Sequence, residues 1–154
     1  MSQLDLFPDS LIQVYRSNDC FDLTEPPIEM DDPTNKFSKH LAKRIKLLKS
    51  LPKDRYYIFA NRGDIPYVYD KKINKKLSPN HTQRMYTSVK LLDKSYYMHL
   101  LVAMFFLEND APDIKIQVDH LNNCATDYTL ENLEWVTQSE NLNRAIQRRK
   151  DDTT

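Results

Sequence analysis

Val118-Asp-His-Leu-Asn-Asn-Cys-Ala-Thr-Asp-Tyr-Thr-Leu-Glu-Asn-Leu-Glu-Trp-Val-Thr-Gln-Ser-Glu-Asn141 is the stretch that decides the fold. Ile114, Ile116 and Val118 alternate as one face of a strand does, and this β-like run ends in the acid-histidine pair Asp119-His120. A polar, Asn-rich loop follows. Leu133 to Val136 reads as a second short strand. A helix is expected to start at Thr137, because Thr137-Gln-Ser-Glu140 is a capping box: the Thr hydroxyl accepts from the Glu140 amide and the Glu140 carboxylate reaches back. The unit is strand, loop, strand, helix. It carries Asp119 and His120 on its first strand and Asn141 in the first turn of its helix.

These groups share one chemistry. Histidine titrates near neutrality, so its neutral form takes a proton from water. A carboxylate and an amide oxygen are hard ligands suited to Mg²⁺, which keeps several waters and binds through few protein groups. A base beside a metal on a phosphate makes a phosphodiester hydrolysis site.

The same residues resemble the HNH class of His-Me finger endonucleases, of the type found in phages and mobile introns. Asp119-His120 is similar to that family's acid-His pair and Asn132 to its middle Asn. Asn132 to Thr137 (NLEWVT) resembles its second strand, and Asn141 falls where the family has its last His or Asn. The spacings agree, at twelve residues from His120 to Asn132 and nine more to Asn141. The resemblance implies that His120 is the general base and that Asp119 and Asn141 hold one divalent metal, Mg²⁺ or Mn²⁺. It also implies that Asn132 braces the loop and helps to orient His120. One departure stands out: Asn122-Asn123 replaces the Asp-Gly that often follows the His-hydrophobe pair. Asn tolerates the left-handed conformation, so the turn is expected to survive. Trp135 is expected in the core. Cys20 and Cys124 form no Cys-x-x-Cys pair, so no structural zinc is expected.

The chain has 154 residues, enough for one domain with appendages or two very small ones. Its net charge of zero hides an asymmetry. Residues 1–33 carry eight acids against one base, Arg16, whereas residues 34–150 carry 21 bases and 12 acids. An acidic tail on a basic body suits a polyanionic partner, DNA above all. Two cysteines without a framework fit a reducing cytoplasm, that of a bacterial host if the chain is phage-encoded. No signal peptide and no membrane partner are expected: the longest apolar run, Met98 to Leu107, contains His99 and is too short to span a bilayer. The single glycine, Gly63, excludes a Gly-rich phosphate loop.

Gln3-Leu4-Asp5-Leu6-Phe7 resembles the pentapeptide by which bacterial replication and repair proteins bind the β sliding clamp. The resemblance covers five residues. Leu6 and Phe7 would fill an apolar pocket and Gln3 would hydrogen-bond at its edge, as an extended peptide that orders on binding. Residues 8 to 35 are acidic and contain Pro8, Pro26, Pro27 and Pro33; apart from a short apolar strand or turn at Leu11 to Tyr15, they read as a linker.

Phe37 to Leu51 predicts a helix with Phe37, Leu41, Ile45 and Leu48 as its apolar stripe and lysines opposite; Pro52 ends it. Its basic face can meet solvent, a membrane or DNA. Strands are expected at Tyr56–Phe59, at Ile65–Tyr69 with Pro66 marking a sheet edge, and at Met85–Leu91 and Ser95–Met98. Gly63 is placed in the turn between the first two. This pattern resembles the strand-rich module that often precedes the HNH unit in phage homing nucleases, with Ala60 and Leu100 departing from its usual residues. His99 is expected as a buried structural histidine and the helix from His99 to Leu107 as core. Arg62, Lys71, Lys72, Lys75, Lys76 and Arg84, with interleaved tyrosines, can contact a DNA backbone, or the lysines can protect strand edges. Arg144 and Arg148 fit phosphate contacts beside the cleavage site, and also suit a helix C-terminus.

The expected fold is α+β. An acidic tail (1–35) carries the clamp-like peptide, followed by a basic amphipathic helix (36–52), a strand-rich DNA-binding module (53–98) and a ββα-metal, HNH-like unit (99–150). The expected function is metal-dependent DNA cleavage, by a monomer that nicks or a homodimer that cuts both strands. The alternative is an inactive HNH-like protein that binds DNA or the clamp and modulates replication.

Overall fold

A computed structural model describes residues 19–28, 38–81 and 86–152. The clamp-like peptide Gln3–Phe7, the run Leu11–Tyr15, Phe37 and Arg84 lie outside them. The described residues form a mixed α and β structure. Its strands are β1 (Cys20–Asp22), β2 (Tyr56–Phe59), β3 (Tyr67–Asp70), β4 (Lys75–Lys76), β5 (Ser88–Leu91), β6 (Lys94–Tyr97), β7 (Gln117–His120) and β8 (Leu133–Val136). Its helices are α1 (Ser38–Lys49), α2 (Met98–Phe106) and α3 (Gln138–Asp152), and a 3₁₀ turn at Leu130–Asn132 leads into β8.

Helix α2 is the centre of the molecule. Eight of its nine residues are buried, including Phe105 at 0% exposure, as an apolar sequence all round the helix requires. Each large side chain buried in this way contributes about 1.5–3 kcal/mol. Leu41, Ile45 and Leu48 of α1 join the same core, as do Tyr56 and Ile58 of β2 and Leu133 and Trp135 of β8. The Trp135 indole N–H donates to the carbonyls of Ala103 and Leu107, at 3.2 and 3.3 Å, and so ties β8 to the last turn of α2.

Strands β1 to β4 form an antiparallel sheet in that order. Strand β1 departs from the expectation of a linker. Cys20, Phe21 and Asp22 pair with Phe59, Ile58 and Tyr57, and Leu23 beyond them is fully buried. Long-range pairing outweighs the acidic, Pro-rich composition there. β3 begins at Tyr67 and lies between β2 and β4, so Pro66 precedes an interior strand instead of marking an edge; Ile65 is 71% exposed. Arg55 and Asp70 lock the end of the β2–β3 pair through two contacts of 3.2 Å. Strands β5 and β6 form a hairpin whose turn uses Leu92 at a φ of 57°.

The decisive stretch folds as strand, loop, strand, helix. β7 and β8 pair antiparallel, with Asp119 opposite Glu134 and His120 opposite Leu133. β7 starts later than the apolar alternation indicates: Ile114 sits in a turn closed by its N–H to the Ala111 carbonyl and is 51% exposed. α3 opens on the expected box. The Thr137 hydroxyl accepts from the Glu140 N–H at 3.1 Å, and the Thr137 N–H donates to the Glu140 carboxylate at 3.0 Å. No residue of α3 is buried, so polar contacts rather than a core hold it to the sheet.

Candidate functional site

Alternation along β7 divides its side chains between two faces. Gln117 and Asp119 face α3. The Asn141 amide donates to the Gln117 side chain at 2.7 Å, and Asp119 meets Arg144 and Arg148. His120 faces the other way, toward α2 and the loop before β5. There its ring stacks on Tyr86, with centroids 5.3 Å apart and planes 11° apart, and lies 4.8 Å from the ring of His99.

These residues border one cleft of about 450 Å³. Asp119, His120, Asn141, Arg148 and Tyr86 all line it. Three of the four residues expected in the catalytic and metal set therefore share a cavity. The fourth, Asn132, lies behind it. Its side-chain carbonyl accepts from the Asn122 N–H at 2.9 Å and its amide donates to the Asp127 carbonyl at 2.7 Å. Its backbone carbonyl accepts from Leu121 at 2.8 Å. Asn132 thus spans the loop that leaves His120. Asn123 in that loop adopts a φ of 59°, the left-handed turn that Asn tolerates, and its N–H donates to the His120 carbonyl at 2.9 Å.

Asp119 is 4% exposed and fully engaged. Arg148 grips it with both terminal nitrogens at 2.9 Å. Arg144 adds a contact at 2.9 Å and with the same nitrogen reaches Glu134, also at 2.9 Å. Two carboxylates that face each other across the strand pair would repel; the two guanidiniums make the cluster neutral. Burial by itself would raise the Asp119 carboxyl, but the hydrogen bonds from Arg148 and Arg144 prevail and hold it below the ordinary carboxylate value. Burial pushes the His120 imidazole below its ordinary value; Asp119 and Asp127 oppose this without overcoming it. The downward shift favours the neutral form of His120, the form that accepts a proton.

Arg144 and Arg148, expected on DNA phosphates, are thus directed at protein carboxylates. Lys71 pairs with Asp54 at 2.8 Å, and Lys76 lies 4.0 Å from the centre of the Tyr67 ring; Lys72 and Lys75 are exposed beside them. Arg62 is in the Asn61–Asp64 turn, whose Gly63 N–H donates to Glu131 at 2.7 Å, immediately before Asn132.

The donors of Asp119 and Asn141 fit a hard divalent cation in kind, one carboxylate and one amide oxygen with the remaining positions left to water. Both Asp119 oxygens accept from guanidinium groups, so a cation reaches the carboxylate only where Arg148 gives way. Among the described residues no group of three or more His, Cys, Asp or Glu side chains converges to hold a metal. No helix of the described residues is long and apolar enough to cross a membrane.

Tyr86 enters the site as a ring against His120, and Arg144 and Arg148, expected beside the site, enter it as partners of Asp119. Nothing in the sequence marked Tyr86 as a neighbour of His120. The i, i+4 spacing of Arg144 and Arg148 did place them on one helix face.

Two curated proteins of Acanthamoeba polyphaga mimivirus are similar to the chain, each named as an uncharacterized HNH endonuclease. One is 32% identical over 110 residues, which cover 70% of this chain and 28% of that protein. The other is 29% identical over 117 residues, covering 73% of this chain and 34% of its own length. The chain therefore spans about a third or less of these relatives. No protein-family model matches the chain, and no solved structure matches it.

Proposed function

We propose that this chain is a DNA endonuclease of the HNH type, which hydrolyses a phosphodiester with His120 as general base. One observation carries the reading: the imidazole of His120, the Asp119 carboxylate and the Asn141 amide border one cleft, beside an arginine suited to phosphate. The similarity to two proteins named HNH endonucleases supports it.

In this reading the scissile phosphate lies in the cleft. His120 takes a proton from the attacking water, the water oxygen bonds to phosphorus, and the bond to the leaving 3′ oxygen breaks. Asn132 keeps the Leu121–Asp127 loop, and with it the end of β7, in place. Asp119 and Asn141 would hold one divalent cation, Mg²⁺ or Mn²⁺, which when bound offsets charge on the phosphoryl and leaving oxygens. Arg148 would have to leave Asp119 for that cation to be held there, and its guanidinium would then suit a phosphate oxygen. Arg62 and the lysines from Lys71 to Lys76, with Arg84, supply sequence-blind DNA affinity. The division at 35, 52 and 98 into tail, helix, strand module and nuclease unit belongs to the same reading. So does recruitment to the bacterial β sliding clamp through Gln3, Leu4, Asp5, Leu6 and Phe7.

One observation favours a second reading. Asp119 is sealed by Arg144 and Arg148, as it would be in an HNH-like protein that binds DNA or the clamp without cutting. Supercoiled plasmid with Mg²⁺ or Mn²⁺ separates the two. Open circles indicate a nicking monomer and linear product a dimer. Intact plasmid in both metals, with DNA still bound, selects the second reading.

A further inference from the structure

Among the described residues, two buried side-chain nitrogens lack a hydrogen-bond partner: His99 Nδ1 and His120 Nε2. Both residues are nearly inaccessible, at 5% and 6% exposure. Their rings are neighbours, with centroids 4.8 Å apart and planes at 51°. Tyr86 packs on both, 4.3 Å from the His99 ring and 5.3 Å from the His120 ring, and Tyr97 lies 5.6 Å from His99. A buried polar atom left unpaired costs free energy. Two such atoms on adjacent rings can share one bridging water, which accepts from a protonated nitrogen and donates to a lone pair.

We propose that His99 is a positioning residue for His120: His120 Nε2 carries the proton and donates it through one trapped water to His99 Nδ1, which leaves the His120 Nδ1 lone pair as the basic site. The rings are neighbours but their two buried nitrogens make no direct hydrogen bond, so a water is the group that would join them. His99 suits the acceptor role. Burial, with His120 and Arg44 adding to it, pushes its imidazole down to about 3, so it stays neutral with one lone pair available. The Tyr86 ring packs against both histidines and the Tyr97 ring against His99. A carbonyl acceptor would do the same work for an ordinary base; here a second histidine on α2 takes that position. The role explains why a histidine lies in the first turn of α2, the most apolar helix among the described residues.

The inference rests on the reading of His120 as the base, but its first test needs no substrate. In full-length protein with ¹⁵N-labelled histidine at neutral pH, long-range proton–nitrogen spectra report which nitrogen of each ring is protonated. The expected result is a solvent-protected proton on His120 Nε2 and an unprotonated His99 Nδ1. In His99→Phe, which keeps a flat ring, that His120 proton should exchange with solvent at least about tenfold faster. A wild-type spectrum with His120 protonated on Nδ1 would overturn the proposal, even if the variant fails to fold. An unchanged exchange rate in folded His99→Phe would overturn it as well. If the wild type cleaves DNA, His99→Phe should lower kcat about tenfold or more at unchanged DNA affinity, and a wild-type kcat would remove the positioning role. If the wild type does not cleave, the nuclease reading fails while the spectra still decide the hydrogen bond.

Discussion

The Arg148 guanidinium meets the Asp119 carboxylate edge to edge, each of its two terminal nitrogens 2.9 Å from a different oxygen. The Arg148 side chain is 26% exposed and that of Asp119 4%, so the pair sits at the floor of the cleft with the arginine on its open side. This places a protein cation where the proposed reaction needs a divalent one.

Replacing Arg148 should therefore tighten cation binding. A unit charge at about 4 Å is worth about 4 kcal/mol at the effective dielectric near a protein surface, so losing a third of that repulsion corresponds to about tenfold. Titration calorimetry with Mn²⁺ should show about tenfold stronger binding to Arg148→Ala than to wild type. Equal affinities would mean that Arg148 does not compete for Asp119.

Asp119 also ties stability to pH. Its carboxyl is held below the ordinary value, so the stability it contributes is complete above about pH 3.9, the unfolded value. That contribution is lost as pH falls through the lower folded value. Asp119→Asn should accordingly be less stable than wild type at pH 7, and the gap should narrow below pH 3. Urea unfolding at the two pH values measures it.

Asn132→Ala removes the acceptor for Asn122 N–H and the donor to the Asp127 carbonyl at a site 7% exposed. The expected cost is about 1–3 kcal/mol. Hydrogen exchange should speed up selectively in residues 121–127, and DNA cleavage should fall with it.

Thr137→Ala removes one half of the capping box of α3 and should cost about 1 kcal/mol. Because α3 has no buried residue, the change should fray the helix and loosen Asn141 more than it affects the core. Thermal unfolding and amide exchange at Asn141 are the corresponding measurements.

The second strand and the start of α3 were legible in the sequence because their signals are local. Leu133 to Val136 alternates, and Thr137 and Glu140 cap by geometry that four residues contain. The left-handed Asn123 followed from Asn chemistry at a turn. Less local features were hidden. Cys20–Asp22 pairs with a strand more than thirty residues away, and its acidic, proline-rich setting resembles a linker. Ile114 continues the apolar alternation but faces solvent in a turn. The α3 arginines read as a phosphate-binding face. Only the fold shows that Asp119, 25 and 29 residues before them, turns its carboxylate toward both. Charge sign reports what a side chain can pair with, not which partner arrives first.

The central claim, that this cleft hydrolyses DNA with His120 as the base, is tested most directly by supercoiled plasmid incubated with Mg²⁺ and either wild type or His120→Ala. Wild type should convert the plasmid to open circles or linear product, and His120→Ala should be slower by about 10²–10⁴, the usual worth of a general base. Equal cutting by both proteins, or no cutting by wild type in Mg²⁺ or Mn²⁺, would contradict it.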